Sequence, residues 1–160
     1  MVLNTRFNEF FKLYGIQVDG KEIEKKYSFY LDNSSDLIPN AEYTLIKLKT
    51  MGKKIYSASN GVYSTQMKRL SNTGIINLFD GHFISETIKH EKPSPYFFDF
   101  CLKTSSKVPK SAILIVGDSP TSDVQGAINS GIDSCFYKYT QRPPTKSRWV
   151  VFRTESPVSA

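Results

Sequence analysis

The chain has 160 residues, with 21 Lys and Arg against 15 Asp and Glu, so its formal net charge is +6. This length suits one domain that can bury a core. The longest apolar runs, such as AILIV at 112–116, are too short to span a bilayer. No signal-peptide pattern follows the first Met, and Cys101 and Cys135 lack metal or redox spacing. We therefore expect a cytoplasmic chain with reduced thiols.

Part of the positive charge lies near the C-terminus, where five basic residues precede the next acid, Glu155: Lys138, Arg142, Lys146, Arg148 and Arg153. Such a segment either attracts a polyanion or is simply solvated. No helix-turn-helix, zinc or aromatic RNA-binding pattern accompanies it, so nucleic acid is not the favoured partner.

The first two predicted elements are helices with aromatic faces. Phe7, Phe10, Phe11 and Tyr14 recur at helical spacing in residues 6–14, and a similar stripe follows in 21–31. Their spacing predicts a helical hairpin in which the two aromatic faces pack on each other.

From about residue 38 the pattern alternates between helices and strands. Helices are predicted from Pro39 to before Gly52, at 62–73, from Pro95 after the cap Ser94, and at 122–130. Strands are predicted at 53–59, 81–85, 112–117, 132–139 and 148–152. This alternation predicts an α/β fold with a doubly wound parallel sheet. The fully apolar strand 112–117 is typical of one covered on both faces.

Polar residues occur in the loops that follow three of the predicted strands. The ligands of α/β sheets bind at this edge, outside the carboxyl ends of the strands. Ser59-Asn60-Gly61 can hold an anion through side-chain and backbone donors, or it is only a turn. Lys92, before Pro93, can reach the same edge as a point charge for phosphate, or it is a surface lysine.

The third segment contains two acids after a strand that ends at Gly117. Asp118 and Asp123 carry carboxylate oxygens that suit Mg²⁺. The alternative is structural, since Asp118 or Ser122 could cap the following helix.

Together these segments resemble the haloacid dehalogenase superfamily of phosphotransfer hydrolases. The second, third and fourth motifs of that family are matched by KIYSASNG, KPSPYFF and ILIVGDSPTSD. The resemblance covers roughly residues 6–137, and it is closest to the branch with a helical cap, among pyrimidine 5′-nucleotidase-like phosphatases.

The resemblance implies a role for each site residue. Ser59 and the Asn60 backbone N–H would bind the transferring phosphoryl group, and Lys92 would bind phosphate and stabilise the nucleophile's charge. Asp118 would ligate Mg²⁺, and Asp123 would support the metal or orient Lys92.

The family's first motif, an apolar strand ending in Asp-x-Asp-x-Thr, has no match here. No Asp-x-Asp occurs in the sequence, and the nearest string, Gln17-Val18-Asp19, suits a turn between two helices better. We therefore expect residues 1–37 to be a partial helical cap and 38–160 a core without its first strand. In the family that strand lies between the second-motif and fourth-motif strands, so a partner or a missing segment would complete the sheet.

These observations favour a Mg²⁺-dependent phosphomonoesterase for a small phosphorylated metabolite or a nucleoside monophosphate. We expect this chain to be inactive without the nucleophile, since covalent catalysis needs it. The alternative is a non-catalytic phosphate-binding or protein-interaction domain. An unrelated nucleotide-binding sheet is not favoured, because neither GxGxxG nor a P-loop is present.

Overall fold

The computed structural model of the chain describes residues 5–105, 108–138 and 149–152. These residues form two compact units. The first contains the described residues up to Ile55 together with Gly61–Asp80, and the second contains Tyr56–Asn60 and the described residues from Gly81 onward. No helix in these ranges is long and apolar enough to cross a membrane. The cap–core boundary at residues 37 and 38 was drawn from motifs, and it stays a prediction.

The first unit is helical. Its helices are α1 (Arg6–Lys12), α2 (Gly20–Asp32), α3 (Ala41–Thr50) and α4 (Tyr63–Asn72). A short 3₁₀ turn, Ile76–Leu78, follows α4. The predicted helices are thus present, and the glycines expected to stop them, such as Gly52 and Gly74, have positive φ of 71° and 75°.

Helices α1 and α2 form the predicted hairpin. Arg6 pairs with Glu24 at 2.7 Å, and the Phe7 and Tyr27 rings meet edge to face with centroids 5.6 Å apart. Arg6 also lies over the Tyr27 ring, 4.6 Å from its centroid. Only part of the two aromatic faces packs in the hairpin. Several aromatic side chains stay more than half exposed: Phe10, Tyr14, Phe29 and Tyr30.

The second unit is α/β. Its strands are β1 (Tyr56–Ser59), β2 (Gly81–Ile84), β3 (Leu114–Gly117), β4 (Asp133–Tyr137) and β5 (Trp149–Phe152). Its helices are α5 (Ser85–Ile88), α6 (Pro95–Ser105) and α7 (Gln125–Asn129), with a 3₁₀ turn at Lys110–Ala112 and a π-helical turn at Pro120–Val124.

The strands form two sheets within the described residues. β1 and β2 pair in parallel with Tyr56 opposite Gly81, and β3 and β4 pair in parallel with Leu114 opposite Asp133. β5 adds to β4 in the antiparallel direction. The α/β class is confirmed. β1 and β3 lie in different sheets within the described residues. The first strand that the sequence analysis expected to be missing would lie between them, and this stays a prediction.

Both sheets cover one apolar core, which is built around α6. Phe97 and Phe98 of α6 are 0% and 1% exposed and pack with Phe83, Ala127 and Ile132. Partly buried side chains from both sheets pack against this cluster: Tyr56, Ala58, Ile113 and Ile115. One face of each sheet therefore packs against the same core.

Strand β3 is not covered on both faces, so that prediction is wrong. Ile113 and Ile115 face the core, while Leu114 and Val116 are 52% and 58% exposed. The reason is the period of two in a strand, which points alternate side chains away from a core that lies on one side.

The chain beyond Lys138 is described only as the backbone of β5. The other basic residues of the tail and Arg148 of the predicted strand 148–152 lie outside the described residues. Both interpretations of the tail therefore stay open.

Candidate phosphate- and metal-binding site

The three predicted segments meet in the second unit, around the side chain of Lys92. Its Nζ donates to the backbone carbonyl of Ala58 at 2.7 Å and to Asp123 Oδ1 at 2.6 Å. Ala58 lies near the carboxyl end of β1, and Asp123 lies in the turn that follows β3. One lysine therefore links the carboxyl ends of the two sheets.

The Lys92–Asp123 ion pair is nearly buried, with side chains 11% and 9% exposed. Removing one partner of a buried pair typically costs about 3–5 kcal/mol, because the other charge stays unpaired. An ammonium group has three N–H donors, and two of them are occupied by Ala58 and Asp123. Among the residues that the structure describes, no other group accepts from Nζ, so the third donor can serve an anion.

Asp123 is fixed by the segment that follows β3. Its Oδ2 accepts from the Ser119 backbone N–H at 3.1 Å, so both carboxylate oxygens are engaged within the protein. The residue that caps the turn is Ser119, whose Oγ accepts from the Ser122 N–H at 3.1 Å. The alternative in which Asp118 or Ser122 caps the helix does not hold, because the helical turn begins at Pro120 and its N-cap position is Ser119.

Gly117, the last residue of β3, makes room for Asp123. A Cβ at this position would overlap the Asp123 carboxylate and its Cβ. Only glycine fits the present arrangement, so the strand end and the acid are matched by shape as well as by charge.

The segment Ser59–Asn60 lies beside Lys92. Within the described part of the chain, the Ser59 hydroxyl makes one long contact, 3.3 Å to the Asn60 carbonyl, so it keeps capacity to bind a ligand. The Asn60 side chain bonds to the backbone of Lys92 through both its amide nitrogen and its amide oxygen, at 2.9 and 2.8 Å.

Asp118 is the acid with free oxygens. It is exposed, and its side chain makes no hydrogen bond or ion pair to another residue that the structure describes. Mg²⁺ is usually held by one or two carboxylates, with waters and phosphate oxygens completing its shell. Asp118 fits that donor set as a single open carboxylate, whereas Asp123 is committed to Lys92 and Ser119. No group of three or more His, Cys, Asp or Glu gathers here or elsewhere in the described residues.

The candidates for a nucleophile are unfavourable. Asp19 caps α2, since its Oδ1 accepts from the Lys21 and Glu22 N–H groups at 3.0 and 3.3 Å. It therefore lies in the turn between α1 and α2, as the sequence predicted. Cys101 is a free thiol, but burial raises its pKa to about 12, so almost none of it is the reactive thiolate at neutral pH.

Three contributors to the site escaped the sequence analysis: Gly117, Ser119 and the side chain of Asn60. Ser119 had a signal, because Ser followed by Pro is typical of an N-cap and first helical position. Gly117 and the Asn60 side chain had none, since their roles depend on residues distant in the chain.

In open α/β sheets, ligands bind outside the carboxyl ends of the strands, and the side chains around Lys92 lie at such strand ends. Residues 2–137 match the family of haloacid dehalogenase-like hydrolases, and the chain belongs to that family.

The relatives agree with this assignment. The pyrimidine 5′-nucleotidase PynA of Streptococcus pneumoniae is 33% identical over 150 residues, covering 90% of this chain and 63% of that protein. The putative HAD-hydrolase YfnB of Bacillus subtilis is 34% identical over 142 residues, or 89% of this chain and 60% of YfnB. The chain thus spans less than two thirds of the length of these relatives.

A third relative carries a different name. A glyceraldehyde 3-phosphate phosphatase of Methanothermobacter thermautotrophicus is 32% identical over 96 residues, which cover 60% of this chain and 42% of that protein.

The fold is also similar to a solved structure. A crystal structure of YfnB bound to magnesium superposes with a TM-score of 0.79 at 34% identity, covering 85% of this chain and 60% of YfnB.

Proposed function

We propose that this chain provides the phosphate- and magnesium-binding part of a Mg²⁺-dependent phosphomonoesterase similar to nucleotidases. The observation that carries the proposal is the Lys92 ammonium, held at 2.6 Å from Asp123 Oδ1 and 2.7 Å from the Ala58 carbonyl. Those two bonds fix the charge beside the Ser59–Asn60 segment, with one donor left for an anion. Preorganised donors of this kind stabilise a phosphoryl group without reorganisation.

Each site residue has a role in this proposal. The Ser59 hydroxyl and the Asn60 backbone N–H donate to a phosphoryl oxygen, and Lys92 supplies positive charge. Asp123 holds and orients Lys92. Asp118 would hold Mg²⁺, which when bound neutralises charge on phosphoryl oxygens.

We propose a nucleoside monophosphate or another small phosphorylated metabolite as the ligand, in the cytoplasm. Support comes from relatives named pyrimidine 5′-nucleotidase and glyceraldehyde 3-phosphate phosphatase, since both names describe enzymes that act on phosphomonoesters. The two free cysteines suit a reducing compartment.

The chain alone is not expected to complete the reaction. No Asp-x-Asp is present to form an aspartyl-phosphate and to act as general acid and base. A positioned acid or base alone contributes about 10²- to 10⁴-fold in rate. The remaining groups bind the phosphoryl group but cannot carry the covalent step.

The test is hydrolysis of p-nitrophenyl phosphate and of pyrimidine nucleoside monophosphates with Mg²⁺. The chain, its Lys92→Ala variant and a chain extended upstream by an apolar strand ending in Asp-x-Asp-x-Thr are assayed together. We expect turnover only from the extended chain, and loss of that turnover on Lys92→Ala in the same background. Robust turnover by the unextended chain that Lys92→Ala abolishes would mean that another residue is the nucleophile.

A second candidate function is phosphate binding without catalysis, for regulation or for interaction with a protein. It is favoured by a site that retains the donors around Lys92 in a sequence without the Asp pair. Phosphate binding by the unextended and the extended chain, with no turnover from either, would support this alternative.

A further inference from the structure

We infer that the side chain of Asn60 is a positioning residue for Lys92. Its Nδ2 donates to the Lys92 carbonyl at 2.9 Å, and its Oδ1 accepts from the Lys92 N–H at 2.8 Å. The two residues are 32 positions apart in the chain. The side chain of one loop therefore clamps the backbone of another.

The clamp depends on a primary amide at position 60. The primary amide of Asn60 presents a donor and an acceptor side by side, which complement the C=O and N–H of a single residue. An Asp at position 60 would keep the acceptor but place a carboxylate oxygen against the Lys92 carbonyl. An Ala would leave both backbone groups of Lys92 to water.

The clamp matters because it fixes the base of a side chain whose tip is also fixed. Lys92 Nζ bonds to the Ala58 carbonyl at 2.7 Å, two residues before Asn60. The segment Ala58–Asn60 therefore holds Lys92 at both ends, through a main-chain carbonyl and through a side-chain amide. Lysine otherwise has high rotamer freedom, so anchoring both ends restricts where its charge can lie.

The consequence concerns anion binding, and it rests on the proposed function. With Asn60 in place, the Ser59 hydroxyl, the Asn60 backbone N–H and the Lys92 ammonium form one preorganised set. Without its side chain, the backbone of Lys92 is free to shift, and the ammonium no longer lies between Ala58 and Asp123. Asn60 thus acts through Lys92 and does not itself need to touch the ligand with its side chain.

The first experiment needs no ligand. The side-chain ¹⁵N–¹H signal of the Lys92 ammonium is recorded in the ¹⁵N-labelled chain and assigned by its loss in Lys92→Arg. We expect Asn60→Ala and Asn60→Asp to shift this signal and speed its proton exchange. Asn72→Ala is the matched control, because the Asn72 amide also donates to a backbone carbonyl, that of Asp32 at 2.7 Å, in the other unit. It should leave the Lys92 signal unchanged.

The second experiment measures the affinity for inorganic phosphate in a double-mutant cycle. We expect Asn60→Ala to weaken binding by about twofold or more, the lower end of coupling between residues in contact. We expect Asn60→Asp to weaken it further, because it adds negative charge. In the Lys92→Ala background, Asn60→Ala should have no further effect. Thermal unfolding of each variant checks that it folds.

The outcomes separate this inference from the proposed function. An unchanged Lys92 signal in folded Asn60→Ala and Asn60→Asp overturns the inference, whatever the phosphate affinity. A shifted signal in a chain that does not bind phosphate upholds the positioning role and contradicts the proposed function. Equal losses on Asn60→Ala with and without Lys92 would show that Asn60 acts directly, and would also overturn the inference.

Discussion

At the residue scale, the site depends on how little space surrounds Asp123. Its carboxylate is engaged at both oxygens, by Lys92 and by the Ser119 N–H, and it lies against Gly117. In such a packed arrangement a single extra methyl group lowers the stability, because overpacking forces neighbouring groups to move. The glycine is therefore as much a part of the site as the two charged residues.

Gly117→Ala tests this close packing. The new Cβ would overlap the Asp123 carboxylate, so we expect a loss of about 1–3 kcal/mol in the free energy of unfolding, the usual cost of overpacking. The Ser119 amide ¹⁵N–¹H signal should shift as its acceptor moves. Urea unfolding and the amide spectrum are the measurements.

The control for Gly117→Ala is Val116→Ala, one residue earlier on β3, where the side chain is 58% exposed. It should change stability by no more than about 0.5 kcal/mol. A folded Gly117→Ala chain with unchanged stability and an unchanged Ser119 signal would refute the packing argument.

At the element scale, the Asp80 carboxylate connects two segments of the first unit that are distant in the sequence. Its Oδ2 accepts from the Ile55 N–H at 2.8 Å, and its two oxygens pair with Lys49 and Lys54 at 3.0 and 3.1 Å. The hydrogen bond from Ile55, followed by those from the two lysines, holds the pKa of Asp80 well below its usual range. The carboxylate thus connects α3 with the segment that leads to Ile55.

The pH dependence of stability follows from the lowered pKa of Asp80. A carboxyl with a lower pKa in the folded than in the unfolded chain contributes stability above about pH 4, its unfolded value. That contribution is lost as the pH falls toward the folded pKa. We therefore expect Asp80→Asn to be less stable than the parent chain at pH 7, with a difference that shrinks progressively below about pH 4.

Urea unfolding at several pH values between about 2.5 and 7 measures this difference. Asp36→Asn is the control, since Asp36 is an exposed carboxylate in the same unit. A difference between Asp80→Asn and the parent chain that stays constant across this pH range would argue against the proposed linkage.

At the scale of the whole molecule, the second unit has two sheets where its family implies one. β1 and β3 belong to different sheets within the described residues, although both pack on the α6 core and their carboxyl ends meet at Lys92. Leu114 and Val116 of β3 are more than half exposed. We predict that the family's first strand would lie in the place between β1 and β3.

A strand supplied to that place should stabilise the molecule. We expect the chain extended upstream by an apolar strand to unfold at a higher temperature, because each new backbone hydrogen bond contributes about 0.5–1.5 kcal/mol. Amide hydrogen exchange at Ser57–Ser59 and Leu114–Gly117 should slow in the extended chain.

The matched control for the added strand carries prolines at alternate positions, which remove hydrogen-bond donors and cannot join a sheet interior. This proline-containing extension should leave the amide hydrogen exchange rates and the melting temperature as they are in the unextended chain. Equal protection from the two extensions would show that the added segment does not pair with β1 and β3.

The sequence by itself determined the order and type of most elements and the residues around the site. Helix periodicity, the glycines after α3 and α4 and Pro95 at the start of α6 are local signals, so each could be found within a short window. The segments containing Ser59, Lys92 and Asp118 were found because each strand end is a local feature and because the order of the motifs can be read directly along the chain. What only the tertiary structure decided depends on groups far apart in the chain: the Lys92–Asp123 pair, the Asn60 clamp, the space at Gly117, and the one-sided burial of β3. No local pattern encodes which partner a polar side chain meets or which face of an apolar strand is covered, because packing between distant segments settles both.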